Sequence, residues 1–179
     1  MGTRTSVRAM VGSLGLMLSS ALAGDAVTPR PTGAPPPRSG PDPWTAHLAL
    51  MDARLSEGDV AGALVAWHAG YGAALRSRRW EGFADVGDAY LRIGRASGAP
   101  RHAIPRARDL YMSALFRARD ASSLDGVLRI ATAFDTLGDR EVTMQALRIA
   151  RRLAGPHPPA HVVDRLAALD GERTAPSGF

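Results

Sequence analysis

The sequence predicts an all-α fold of paired helices, and three observations carry that prediction. Between residues 44 and 170 apolar side chains recur three and four apart, the spacing that lines one face of an α-helix. Gly58, Gly94 and Gly138 each follow a Leu- or Ile-rich turn, where a left-handed residue closes a helix. β-Branched residues are scattered and no alternating run exceeds four residues, so nothing reads as a strand.

The first element is not part of that fold. Residues 1–23 read as a secretory signal peptide: Arg4 and Arg8 give a cationic start, and no acid appears before Asp25. An apolar run over 9–23 then ends in Ala21-Leu22-Ala23, with small residues where a signal peptidase accepts only small ones. The run is shorter than the roughly 20 apolar residues that span a bilayer. Gly12, Ser13, Gly15, Ser19 and Ser20 dilute it further. An uncleaved anchor and an organellar transit peptide are the competing readings, and export is the expectation adopted. Residues 24–43 hold seven prolines and no apolar periodicity. Proline lacks an N–H and fixes φ, so this stretch is expected to be a disordered, extended spacer rather than a helix or strand.

The folded domain is expected over 44–170, with 171–179 as a disordered tail. Its helices are expected at 44–57, 60–77, 79–93, 105–119, 124–137, 140–153 and 159–169. Asp59 and Asp139 each follow a closing glycine and stand where a carboxylate caps the next helix. The last helix begins after Pro158-Pro159 and would cover the exposed end of the preceding pair.

Composition narrows the function classes. The chain has 179 residues, 45% of them apolar and only 6% aromatic, so its core is built mainly from Leu, Ala, Val and Ile. The absence of cysteine excludes disulfides, thiolate metal sites and a cysteine nucleophile. All 22 cationic residues are arginine, and the net charge is +5. Leaving out Arg4 and Arg8 makes it +3, too small an excess to indicate nucleic acid without clustering on one face.

The helices repeat as pairs. In the second pair Phe83-x-x-Val86-Gly87-x-x-Tyr90 precedes Ala107-x-x-x-Tyr111-x-x-Ala114. The third has Val127-x-x-Ile130-Ala131-x-x-Phe134, then Thr143-x-x-x-Leu147-x-x-Ala150. The first has His47-x-x-Leu50-Met51-x-x-Arg54, then Ala63-x-x-x-Trp67-x-x-Gly70. A small residue at Gly87 or Ala131 permits close helix approach, and Tyr90 or Phe134 fills the space beside it. This pattern resembles the tetratricopeptide repeat over about residues 44–155. The resemblance implies a right-handed α-solenoid of about three helix-turn-helix repeats plus a C-terminal capping helix. The period is imperfect: Gly58 to Gly94 is 36 residues and Gly94 to Gly138 is 44. The excess falls in 96–106, which is expected to loop out.

In that family the first helix of each pair lines a concave, peptide-holding surface. Projected at 100° per residue, the expected groove face comprises Leu48, Asp52 and Leu55 in the first pair. The second supplies Glu81, Ala84, Asp88, Leu91 and Arg92, and the third Asp125, Leu128, Thr132 and Asp135. Its five carboxylates to one arginine in the wider face suit a basic or amphipathic segment. The arginines at the ends of the second helices (Arg76, Arg78, Arg79; Arg117, Arg119; Arg148, Arg151, Arg152) are read as complementing helix dipoles rather than binding phosphate.

Catalytic signals are weak. His157 and His161 are four apart, but Pro158 and Pro159 intervene, so no metal site is expected. Gly70-Tyr71-Gly72 lacks a phosphate-loop context, and no G-x-S-x-G motif occurs. The chain is therefore read as an exported adaptor, periplasmic or envelope-associated, that binds a protein or peptide partner. It is expected to use no cofactor or nucleic acid and to have no enzymatic activity. The alternative is a membrane-anchored helical-bundle accessory; an enzyme with a His and carboxylate site stands behind both.

Overall fold

A computed structural model describes residues 40–171, and among them there are seven α-helices and no strand. They are α1 (Thr45–Ser56), α2 (Val60–Ser77), α3 (Trp80–Ala96), α4 (Pro100–Asp120), α5 (Leu124–Thr136), α6 (Arg140–Ala154) and α7 (Ala160–Gly171). The expected signal peptide, the spacer up to residue 39 and the tail beyond 171 lie outside the described residues. Consecutive helices pack on one another from α1 to α6, α3 also touches α1 and α5, and α7 lies on α5. Three-residue connections within each pair return the chain along its own path, making α1–α2, α3–α4 and α5–α6 hairpins.

Each hairpin turn has the same backbone device. Gly58, Gly98 and Gly138 adopt φ of 78°, 72° and 75°, the left-handed region that a Cβ disfavours. The Asp59 and Asp139 carboxylates then accept from the backbone N–H groups of Gly62 (2.8 Å) and Val142 (3.3 Å). α4 lacks such a side-chain cap and starts on Pro100, whose missing N–H costs nothing at that position.

The middle hairpin departs from expectation. Gly94 does not end a helix: it is buried inside α3, and Gly98 closes the turn. Residues 96–106 do not loop out, because α4 begins at Pro100 and carries Pro105 within it. The three closing glycines are thus spaced 40 residues apart throughout. The excess is split, about four residues to each helix of the pair, which is close to one helical turn. Adding a whole turn to both arms preserves the facing stripes, and Gly94 lets the extension close up. A Cβ built on Gly94 would collide with the Cβ of Ala103.

A second repeated device joins successive hairpins. At the first joint a Cβ on Gly82 would lie 2.9 Å from the Ala74 Cβ and 3.1 Å from the Trp44 ring. At the second, one on Gly126 would lie 2.8 Å from both the Ala118 Cβ and the Trp80 ring. Each incoming helix therefore presents a glycine to a slot made by an alanine and a tryptophan of the hairpin before it. Trp67 adds a polar tie across the first joint, its indole N–H donating to the Val86 carbonyl at 2.8 Å. Around these joints Met51, Trp67, Val86, Leu128, Ile130, Phe134 and Leu147 are almost wholly buried. At the far end α7 buries Val162 and Leu169.

Candidate functional site

α1, α3 and α5 each leave one stripe uncovered on a shared side of the molecule. The stripes follow helical spacing: Thr45, Leu48, Ala49 and Asp52 on α1; Asp85, Asp88 and Arg92 on α3; Arg129, Thr132, Ala133 and Thr136 on α5. Three adjoining depressions run across them, the largest of about 390 Å³, and Asp88 lines all three.

The floor is held by polar ties between helices. Arg92 of α3 reaches Asp52 of α1 with both Nε (2.8 Å) and an Nη (3.1 Å), a bidentate geometry. Arg129 of α5 donates to Asp85 at 2.6 Å and to Asp88 at 2.9 Å, both on α3. Asp85 also accepts from the Trp44 indole at 2.7 Å. Asp88 also accepts from the Tyr111 hydroxyl at 2.5 Å. Tyr111 belongs to α4 and reaches this surface by passing Gly87, where a Cβ would stand 2.7 Å from its ring. The glycine thus has a second consequence beyond close packing: it lets a phenol from the outer helix enter the network on the inner one.

Protonation follows from these contacts. Burial, and then the hydrogen bond and charge of Asp88, push the Tyr111 phenol far above its ordinary value. Burial pulls the Arg129 guanidinium down, but Asp85 and then Asp88 more than offset this and hold it above its ordinary value. Both groups therefore stay in their ordinary protonation states across the physiological range.

Of the residues expected to form the groove, Leu48, Asp52, Ala84, Asp88, Leu91, Arg92 and Thr132 line these depressions. The other five do not. Leu55 packs partly buried against the core, and Leu128 is fully buried within it. Glu81 pairs with Arg79 at the start of α3 (2.8 Å). Asp125 faces Arg165 of α7 at 3.6 Å, and Asp135 lines none of the three. On α5 the uncovered stripe is turned relative to the expected one, because α7 packs on that helix. Asp85, Arg95 and Arg129 were missed, and they change the electrostatics. The charged lining is Asp52, Asp85 and Asp88 against Arg92, Arg95 and Arg129, balanced rather than acidic. The available signal was the opposite charge of Asp85 and Arg129, which stand at the same register of neighbouring hairpins.

Elsewhere the titratable groups do not converge. His68 places Nδ1 2.8 Å from the Leu64 carbonyl and sets its ring edge against Trp67. His157 precedes α7 and His161 lies within it, both exposed. Among the described residues no group of three His, Cys, Asp or Glu stands close enough to hold a metal ion, and no helix is long and apolar enough to cross a membrane. Comparison of the chain with known protein families, curated proteins and solved structures gives no match.

Proposed function

We propose that the chain is an interaction scaffold of tetratricopeptide type, an exported adaptor whose hairpins form a right-handed solenoid. In this reading the uncovered side of α1, α3 and α5 holds a peptide or protein segment. One observation carries the proposal: the three helices leave a continuous, open surface whose charged groups are already tied to one another across helix boundaries. Such ties fix the surface before a partner arrives, which lowers the ordering cost of binding. Ala49 and Leu91 offer apolar contact, and Thr45, Thr132 and Thr136 offer hydroxyls. Balanced charge favours an amphipathic segment over a strongly basic one. Export rests on the features of residues 1–23, and envelope assembly or secretion is the process this location suggests.

The test places a photoreactive residue at Ala49 or Thr132, with Gln145 on α6 as the control position, in cells that make the chain. A partner segment should be captured from Ala49 and Thr132 and not from Gln145. Ala49→Trp and Thr132→Trp should then weaken the purified complex by roughly tenfold or more, as overfilled contact positions do. Capture only from Gln145, or an unchanged affinity, refutes the reading. An N-terminus at Gly24 by mass measurement supports export, and an intact Met1 in the isolated protein opposes it.

A further inference from the structure

α2, α4 and α6 all finish at one end of the molecule, because each returns along the helix before it. That end collects six exposed arginines: Arg76 and Arg78 at α2, Arg119 at α4, and Arg148, Arg151 and Arg152 at α6. The acids beside them are engaged: Asp42 and Glu81 hold Arg79, Asp120 holds Arg119, and Asp125 faces Arg165. Asp164, in the second turn of α7, is a further exposed acid. Arg76, Arg78, Arg148 and Arg152 make no ion pair among the described residues. The opposite end mixes the signs, with Glu57, Asp59, Asp139 and Glu141 among Arg54 and Arg140. Leu75 and Phe116, 43% and 46% exposed, each directly precede an arginine at the basic end. We propose that this end docks on an anionic lipid bilayer surface, its arginines taking lipid phosphates while Leu75 and Phe116 enter the headgroup layer.

Helix dipoles account for only part of this charge. A helix C-terminus carries about half a negative charge, so three of them leave most of the six arginine charges uncompensated. Arg78 adds an independent observation. It is one of two described non-glycine residues in the left-handed region, at φ 56°, and it closes α2. The turns within hairpins put Gly58, Gly98 and Gly138 in that region instead. A long side chain kept where glycine is easier points to a use for the guanidinium beyond closing the helix.

An anionic bilayer meets both the charged and the apolar parts of this end. Arginine holds phosphate oxygens through two N–H groups at once. An apolar side chain flanked by cations suits the boundary between headgroups and acyl chains. Nucleic acid would use an aromatic face for base stacking. The Arg119 guanidinium already lies over the Phe116 ring, 5.3 Å from its centroid, and Leu75 offers no ring. A second copy turned about a two-fold axis would set like charges together. Residues 1–39 hold four arginines to one acid and 172–179 one of each, so neither supplies the missing negative charge. Packed helices lie about 8–10 Å apart, within the Debye length of about 10 Å at 0.1 M salt, so the arginines act together. Helices of 15 and 21 residues put the opposite end about 22–31 Å away, where it is screened.

The test is vesicle co-sedimentation of the full chain, as isolated from the cells that make it, at about 0.1 M salt. Vesicles of phosphatidylcholine alone read the apolar contribution of residues 9–23, and vesicles with about one-third phosphatidylglycerol add the anionic surface. Binding should be roughly tenfold or more tighter to the anionic vesicles, and each arginine lost from the basic end should weaken it roughly fivefold. Arg148→Gln with Arg152→Gln should therefore act strongly, whereas Arg101→Gln with Arg140→Gln, the same charge change at the opposite end, should act by less than about twofold. Arg78→Gly should weaken vesicle binding while the thermal midpoint stays level or rises, because it relieves the left-handed backbone. The chain has no cysteine, so a polarity-sensitive dye on Phe116→Cys should shift to the blue on anionic vesicles, and one on His102→Cys should not. Equal binding to both vesicles, equal losses from the two double variants, Arg78→Gly with unchanged binding, or a silent dye at Phe116→Cys overturns the proposal. Tighter binding of a DNA duplex than of the anionic vesicles, lost in the same variants, also overturns it and gives this end to nucleic acid.

Discussion

Gly87→Ala sets helix propensity against packing in a place where the winner can be calculated. Glycine inside a helix is worse than alanine by about 1 kcal/mol, so propensity alone makes this substitution stabilising. The new Cβ, however, would stand 2.7 Å from one ring carbon of Tyr111 and 3.0 Å from another. Carbon atoms pack best at about 3.5–4.0 Å, so the overlap approaches 1 Å. The ring has little freedom to retreat. Its hydroxyl is held by Asp88 at 2.5 Å, its edge meets Phe134 at a centroid distance of 6.0 Å, and it is 2% exposed. Overpacking of this kind costs about 1–3 kcal/mol, which leaves a net loss of up to about 2 kcal/mol. Urea unfolding followed by tryptophan fluorescence and circular dichroism measures it directly. The third hairpin suggests the compensating change, because it carries Ala131 and Leu147 at the corresponding positions. In a Tyr111→Leu background, Gly87→Ala should be neutral or stabilising, giving a coupling of about 1–3 kcal/mol, the overlap cost itself, in the double-mutant cycle. A Gly87→Ala protein more stable than wild type, or a strictly additive cycle, would refute the reasoning.

Two further outcomes are expected. The Tyr111 phenol is held above its ordinary value of about 10, so the folded state keeps a proton that the unfolded state releases near that pH. Its contribution is complete below about pH 10 and declines as pH rises beyond it, so the urea midpoint of wild type should fall more steeply there than that of Tyr111→Phe; parallel curves contradict this. In the extended hairpin, Gly94→Ala meets the Ala103 Cβ more tightly than Gly87→Ala meets Tyr111, so overlap near the upper end of the roughly 1–3 kcal/mol range, less about 1 kcal/mol of helix propensity, should leave a cost of about 2 kcal/mol. Gly98→Ala meets no atom within 4 Å, so only its φ of 72° opposes it, at about 1 kcal/mol. Thermal unfolding should rank them in that order, and the reverse order would show that Gly94, not Gly98, ends α3.

The helices were legible because their signals are local. Asp59 and Asp139 were recognisable as caps from their position after a closing glycine, and the 3–4 periodicity marked α1, α2, α5 and α6 to within about two residues at each end. The α3–α4 turn was misread for an equally physical reason. Gly94 follows the apolar turn Leu91-Arg92-Ile93, whereas Gly98 follows the polar Arg95-Ala96-Ser97, and glycine serves a tight turn and a tight helix contact alike. Only the position of Ala103 distinguishes them. Pro105 misled in the same way: it suggests a helix start, yet it is tolerated on the exposed side of a helix begun five residues earlier at Pro100.

The uncovered surface was legible on α1 and α3, where the apolar stripe fixes the opposite side, and less so on α5. There the binary pattern alone does not say that a seventh helix will cover one flank, placing Asp125 beside Arg165 and turning the open stripe toward Arg129 and Ala133. By itself, then, the chain of residues determined seven helices, their order and the close approach at Gly87, because spacing and backbone preference act within a few residues. Tertiary structure alone decided which charges meet: Asp52 with Arg92, and Asp85 and Asp88 with Arg129, are joined across 40 to 44 residues of sequence. Coulomb attraction depends on separation in space, and only the stacking of hairpins turns that sequence distance into under 3 Å.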